Sequence, residues 1–256
     1  MQIVIDVAME YQLSRPETVL LTLEAAPLDR QAVQHQQLDI TDATLQRLSA
    51  RNGHGPRIWA HLRTDRLVLR YQAQVALHRA DSPLDALQAS TLQALPADVL
   101  TYLRPSRFCP SDLFENFATE HFGDLQGGGK IAAIRDWVAA TIAYVPGSSN
   151  ARTCAHETFN MRQGVCRDFA HLVCTLARAS QIPARYTAGY SPQVTPPDFH
   201  AVAEVWLDDA WHVVDPTGMS STATLAVIGS GRDACDVAFM ETQGPAYPIS
   251  HSVRVL

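Results

Sequence analysis

The amino-acid sequence predicts an α+β fold in two parts: an antiparallel β-sandwich over residues 1–82, then a domain over residues 83–256 in which a helix packs on an antiparallel sheet. Three observations predict it. Apolar residues alternate with period two in the first part, helical spacings of three and four follow residue 83, and strand-like runs follow the last helix. The composition, 46% hydrophobic and 18% charged, is typical of a folded globular chain.

The strands of the first part are predicted from alternation of apolar and polar residues. In residues 67–77 every second residue is apolar or aromatic, as in a strand with one buried face. A cluster of Asn, Gly and Pro at residues 52–56 predicts a turn. The other predicted strands are residues 2–9, 19–25 and 57–62.

The second part begins with a helical region, residues 83–165. Apolar spacings of three and four predict helices over residues 84–95, 112–121 and 130–143. The run Gly127-Gly128-Gly129 indicates a short flexible joint and not a phosphate-binding loop, because no Gly-Lys-Ser/Thr follows it.

Residues 166–256 are predicted to hold one helix and an antiparallel sheet. The helix spans residues 166–180, and strands follow at residues 184–190, 200–207 and 211–214. The pair Asp208-Asp209 is a natural turn, so the last two strands form a hairpin. The remainder, residues 222–256, has no clear pattern and is assigned to this same domain.

Charge and hydropathy exclude several classes of partner. A net charge of −6 and an isoelectric point near 5.9 disfavour nucleic acid, whose binding needs clustered Lys and Arg. No apolar run reaches the roughly 20 residues of a membrane span, and Asp6 and Glu10 stand where a signal peptide has basic residues. We therefore expect a cytoplasmic protein whose five cysteines are free thiols. The sequence does not predict an oligomeric state.

Cys166 differs from the other cysteines because it opens a helix. The macrodipole and the unpaired backbone N–H groups at a helix start favour an anion, so a thiolate there is a usable nucleophile. The N–H of Cys166 can also stabilise the oxyanion formed when a thiolate attacks an acyl carbon. Asp168 is expected to cap this helix and Arg167 to be a solvated or substrate-facing charge.

A histidine and an acid follow Cys166 in the order that a catalytic triad needs. His200 opens one strand of the predicted hairpin, and Asp215, just before Pro216, ends the other. Neighbouring strands hold opposed side chains roughly 5 Å apart, so Asp215 can orient the His200 imidazole. The predicted roles are nucleophile for Cys166, base for His200 and orienting acid for Asp215.

Together these segments resemble the bacterial transglutaminase-like family over residues 99–236. The resemblance rests on residues 164–172 (GVCRDFAHL), residues 182–190 (IPARYTAGY), His200-Ala201 and residues 215–217 (DPT). It implies a papain-like core, a Cys-His-Asp triad at Cys166, His200 and Asp215, and acyl-enzyme chemistry on a peptide or protein amide, without a cofactor. Many relatives have an aromatic residue two places after the histidine, where this chain has Val202. No stretch resembles the acidic calcium loops of animal transglutaminases, so calcium dependence is not expected.

Three alternatives compete with a hydrolytic cysteine enzyme. A zinc site needs the ligand types found at Cys154, His156, Cys166, His171 and Cys174, but the helical spacing turns Cys166 away from His171 and Cys174, so no metal is predicted. An inactive interaction module would not need nucleophile, base and acid together. Water and an amine can both resolve the same thioester; hydrolysis is the favoured outcome and amine transfer the alternative.

Overall fold

The computed structural model describes residues 1–48 and 55–256. It confirms the α+β class, with antiparallel sheets in both parts of the chain. Most of the turn predicted at residues 52–56 lies outside the described residues. The strands of the first part are β1 (Gln2–Leu13), β2 (Thr18–Leu21), β3 (Gln31–Ile40), β4 (Ala43–Leu48), β5 (Arg57–Leu62) and β6 (Arg66–Leu77).

The second part contains helices and short strands around one larger sheet. The helices are α1 (Glu115–Phe122), α2 (Gly127–Thr141), α3 (Ala155–Met161) and α4 (Cys166–Ala179). The strands are β7 (Ala143–Tyr144), β8 (Gln163–Gly164), β9 (Ala184–Tyr190), β10 (His200–Leu207), β11 (Ala210–Val214), β12 (Ala226–Gly231), β13 (Met240–Glu241) and β14 (Ala246–Val255). No helix in the described part of the chain is long and apolar enough to cross a membrane.

Two predictions for the helical region are wrong. The helix expected over residues 84–95 is reduced to two 3₁₀ turns, Leu84–Ala86 and Leu92–Ala94, neither of which buries a residue. A helix gains most of its stability from packing a continuous face, and in this segment only Leu95 is buried, while Leu84 and Leu87 are partly buried. Residues 127–129 are no flexible joint but the first turn of α2, where a Cβ on Gly128 would lie 1.7 Å from the carbonyl oxygen of Leu84.

The sandwich consists of two four-stranded sheets in the orders β14-β1-β6-β3 and β13-β2-β5-β4. Alternate residues of β1 and β6 are buried between the sheets, as period two requires. Their side chains form the core with those of β2 and β5. Its largest fully buried members include Ile3, Ile5, Met9, Leu21, Ile58, Leu67 and Tyr71.

The C-terminal strands belong to the sandwich, which corrects the assignment of all of residues 83–256 to one domain. β14 pairs with β1, and β13 pairs with β2, so both lie at sheet edges. The sequence of β14 does not indicate this pairing, because Val253 is the one buried residue of the strand and Pro248 interrupts the alternation of apolar and polar residues.

The sheet of the second part has the order β11-β10-β9-β12, and α4 packs on β9 and β10. The residues of α4 from Asp168 to Arg178 are all buried, which fixes the start of the helix relative to the sheet. The two parts also share one core: Tyr190, Ala226 and Ile228 pack with the sandwich residues. The Tyr190 hydroxyl donates a hydrogen bond of 2.7 Å to the carbonyl oxygen of Leu23.

Candidate active site

The N-terminus of α4 is held by a buried carboxylate. Asp168 is fully buried and accepts a hydrogen bond from the N–H of the N-cap residue Val165 at 2.9 Å, so it caps the helix start from the third helical position. The Ser149 hydroxyl also donates to Asp168. Arg167 pairs with Asp168 at 3.0 Å and donates to the carbonyl oxygen of Asn150 at 2.8 Å, so it is largely neutralised. These bonds hold Cys166 at the first position of the helix.

His200 and Asp215 meet as predicted, beyond the paired part of the β10–β11 hairpin. The paired part of β10 and β11 begins at Ala203 and Val214, so His200 lies before it and Asp215 after it. Nε2 of His200 lies 2.7 Å from Oδ2 of Asp215, and both side chains are almost fully buried. Asp215 also accepts hydrogen bonds from Thr217, through both N–H (2.9 Å) and hydroxyl (2.6 Å), and from the Ser220 hydroxyl (2.9 Å).

The electrostatics of this pair favour an imidazolium. Burial opposes the charge on His200, but the hydrogen bond and charge of Asp215, together with Cys166, outweigh it and raise the pKa of His200 to about 9. Burial works against ionisation of Asp215 as well. The His200 ring and the Thr217 hydrogen bonds still lower the pKa of Asp215 below its ordinary value. At neutral pH the pair is therefore an imidazolium and a carboxylate.

The second ring nitrogen of His200 is available to Cys166. Nδ1 is buried and has no hydrogen-bond partner of any kind among the described residues. The interaction with Cys166 is one of those that raise the pKa of the ring, so the two side chains lie near each other. The imidazole thus bonds the acid through Nε2 and keeps Nδ1 unbonded, in the same cleft as Cys166.

Both Cys166 and His200 line a cleft of about 660 Å³ between the sandwich and the second sheet. The catalytic side includes Arg107, Phe108 and Cys235. The opposite wall comes from the sandwich and its C-terminal strands, through Tyr11, Thr22, Met240, Glu241 and His251. Nε2 of His251 lies 2.9 Å from Oδ1 of Asp198, which ties β14 to the loop preceding His200. The cleft is therefore bounded by both parts of the chain.

The residues that hydrogen-bond to Asp215 and Asp168 were not identified from the sequence. Thr217 stands two residues after an Asp, the spacing of an Asx-type turn, and this local signal could have found it. No local sequence pattern indicates Ser220 or Ser149, because the path of a loop brings each serine to its carboxylate partner, Asp215 for Ser220 and Asp168 for Ser149. The Asp198–His251 contact joins residues far apart in the sequence.

His171, one of the possible zinc ligands, has other contacts. Nε2 of His171 accepts a hydrogen bond from the N–H of Ala234 at 3.2 Å, and its ring lies between Phe108 and Tyr186. In the described ranges, 1–48 and 55–256, no group of three or more Cys, His, Asp or Glu residues is arranged to hold a metal ion.

Comparison with known proteins gives matches over this same region. A family model described as the transglutaminase-like superfamily matches residues 117–216. A crystal structure from Cytophaga hutchinsonii, provisionally named a cysteine protease, aligns with a TM-score of 0.93 and 31% identity over 100% of this chain and 90% of that one.

Two mycobacterial relatives are uncharacterised proteins. The Mycobacterium leprae protein is 32% identical over 117 residues, which is 42% of this chain and 41% of that protein. The chain therefore spans less than half the length of that relative. The Mycobacterium tuberculosis protein is 26% identical over 242 residues, covering 82% of this chain and 76% of its own length.

Proposed function

Because the chain belongs to the transglutaminase-like superfamily, a family of cysteine-dependent enzymes, we propose that it hydrolyses a peptide or amide bond through a thioester formed on Cys166. One observation carries the proposal: a buried His200–Asp215 pair leaves the second ring nitrogen of His200 unbonded, and His200 shares a cleft with a thiol at a helix start. The name of the Cytophaga hutchinsonii protein supports hydrolysis as the outcome. The acyl donor is a peptide or protein amide, and the expected place of action is the cytoplasm.

The first half of the reaction consumes the imidazolium proton. The Cys166 thiolate attacks the amide carbonyl carbon, and the carbonyl π electrons move onto the oxygen. As the tetrahedral intermediate collapses, the C–N bond breaks and Nδ1–H of His200 protonates the leaving amine. The products of this half are a free amine, a thioester and a neutral imidazole.

The second half restores the enzyme. Nδ1 of neutral His200 removes a proton from water as the water oxygen attacks the thioester carbon. The C–S bond then breaks, which releases a carboxylic acid and leaves the thiolate beside an imidazolium. Asp215 stays ionised throughout and stabilises the imidazolium in each half. An amine in place of water would give acyl transfer by the same steps.

Selective alkylation tests the nucleophile, and Cys235 provides an internal control. Cys235 lines the same cleft and is exposed, but burial of its thiol and the charge of Asp233 raise its pKa. With iodoacetamide at pH 6 and peptide mapping, Cys166 should react at least about ten times faster than Cys235. The His200→Ala variant should lose this advantage. Equal rates at the two thiols in the wild-type protein would contradict the proposal.

Trapping the acyl-enzyme separates the possible reactions. After incubation with a peptide mixture, intact mass should show an acyl adduct that is absent from Cys166→Ala. Adduct decay in water alone supports hydrolysis, whereas decay only on addition of an alkylamine would replace hydrolysis with amine transfer. Absence of any adduct, with no selective alkylation, would support the inactive interaction module.

A further inference from the structure

Arg107 lies on the catalytic side of the cleft, in a segment that a buried carboxylate holds in place. Asp233 is almost fully buried and accepts two hydrogen bonds of 2.9 Å, from the N–H of Phe108 and from the N–H of Cys235. Cζ of Arg107 lies 5.2 Å from the centre of the Phe108 ring, which itself stacks on the ring of His171. The guanidinium is therefore positioned by its neighbours, although the Arg107 side chain is exposed to the cleft.

Most of the charged side chains that line the cleft already have a partner of opposite charge. These pairs are Arg167–Asp168 at 3.0 Å, Asp198–His251 at 2.9 Å and His200–Asp215 at 2.7 Å. Arg107 forms no ion pair with an acidic side chain of residues 1–48 or 55–256. Its charge is therefore available to a group that enters the cleft.

The opposite wall of the cleft carries a charge of the other sign. Glu241 belongs to β13, is exposed and takes part in no ion pair within the described part of the chain. Most of the remaining lining is apolar, including Phe199, Val237 and Phe239. A carboxylate in this cleft is thus attracted to the catalytic side and repelled from the sandwich side, while the chain that bears it meets apolar surface.

Resting on the proposed function, we propose that Arg107 is a specificity-determining residue, which binds a carboxylate in the acyl part of the substrate. An acidic residue on the acyl side of the cleaved bond has this chemistry. A guanidinium offers a carboxylate two parallel N–H donors and keeps its charge at every pH at which the enzyme folds. The acyl part stays in the cleft through both halves of the reaction, so one contact with Arg107 orients it for attack by Cys166 and then by water.

Two matched esters test this selectivity. p-Nitrophenyl 4-carboxyphenylacetate carries a carboxylate that cannot reach its own ester carbon, and p-nitrophenyl 4-carbamoylphenylacetate is its neutral counterpart. Release of nitrophenolate gives kcat/KM for each ester, which is divided by the rate constant of that ester with 2-mercaptoethanol. The wild-type protein should favour the anionic ester about tenfold. This preference should shrink as NaCl is raised from about 0.05 M to about 0.5 M, because salt screens the guanidinium.

Substitution of Arg107 should remove the preference without slowing the neutral ester. In Arg107→Gln, kcat/KM should fall about tenfold for the anionic ester and stay within about twofold of wild type for the neutral one. Arg107→Lys keeps the charge but lacks the forked donors, so it should retain part of the preference. Arg63→Gln removes an exposed arginine from the turn after β5, outside the cleft lining, and should keep the full preference as the control for net charge.

The outcomes separate this selectivity from the function on which it rests. Equal rates of the wild-type protein with the two esters, or an unchanged preference in Arg107→Gln, would overturn the role of Arg107 and leave the proposed function standing. An equal fall with both esters in Arg107→Gln would also overturn it; thermal unfolding and iodoacetamide alkylation of Cys166 then assign Arg107 to the fold or to the thiol. Failure of wild-type Cys166 to alkylate selectively would instead reject the proposed function.

Discussion

Neutralising Asp215 should remove the reactivity of Cys166 at neutral pH. Asp215 is almost fully buried against His200, and Asp215→Asn keeps its shape while removing its charge. The rise in the pKa of His200 from 6.5 to about 9 corresponds to about 3 kcal/mol of added preference for the imidazolium. Burial opposes that charge, so without Asp215 the ring should be neutral at pH 7, with Cys166 the one remaining favourable contact.

The assay is the pH profile of Cys166 alkylation between pH 5 and 9. In wild-type protein Cys166 should alkylate readily at pH 7 as well as at alkaline pH, because the His200 imidazolium favours the thiolate. In Asp215→Asn the rate at pH 7 should fall about tenfold or more and recover only toward alkaline pH. Asp6→Asn, which breaks an exposed pair with Arg70, is the matched control and should follow the wild-type profile. Superimposable wild-type and Asp215→Asn profiles would refute the assigned role.

Two further predictions concern stability. Asp168→Ala should lower the free energy of unfolding by about 3 kcal/mol in urea titration, because it leaves Arg167 and the N–H of Val165 without their buried partner; a loss below about 1 kcal/mol would contradict this. Burial lowers the pKa of His171 to about 3, so the wild-type protein should lose stability as the pH falls below 6.5 toward 3. His171→Phe keeps the ring packing and should flatten thermal stability over that range; an unchanged acid dependence would assign the effect to other groups.

The fold was predictable where burial follows a regular period. β6 alternates without interruption, and α4 carries its apolar residues on a helical stripe, so both were placed to within a residue or two. β3 escaped prediction because its exposed residues outnumber its buried ones and few are apolar. β12 is buried on both faces, so its sequence, AVIGSG, shows no alternation of apolar and polar residues.

The contact between the predicted site residues could be anticipated because two local features are recognisable in the sequence. The start of α4 fixed Cys166, and the turn at Asp208-Asp209 fixed the hairpin that bears His200 and Asp215. Their catalytic roles stay predictions. β7 and β8 were not predicted because they are two residues long, and a pair this short has no period to detect.

The sandwich explains a feature that the sequence left open, the role of the first eighty residues. Tyr11 and His251 come from the two paired strands β1 and β14, and both line the cleft that holds Cys166. The ion pair of His251 with Asp198 acts two residues before His200, so β14 also anchors the loop that carries the base. Because the sandwich and the second sheet share one core through Tyr190, they cannot separate without exposing apolar surface. The walls of the cleft are therefore complete only when β13 and β14 are paired with the sandwich strands β2 and β1.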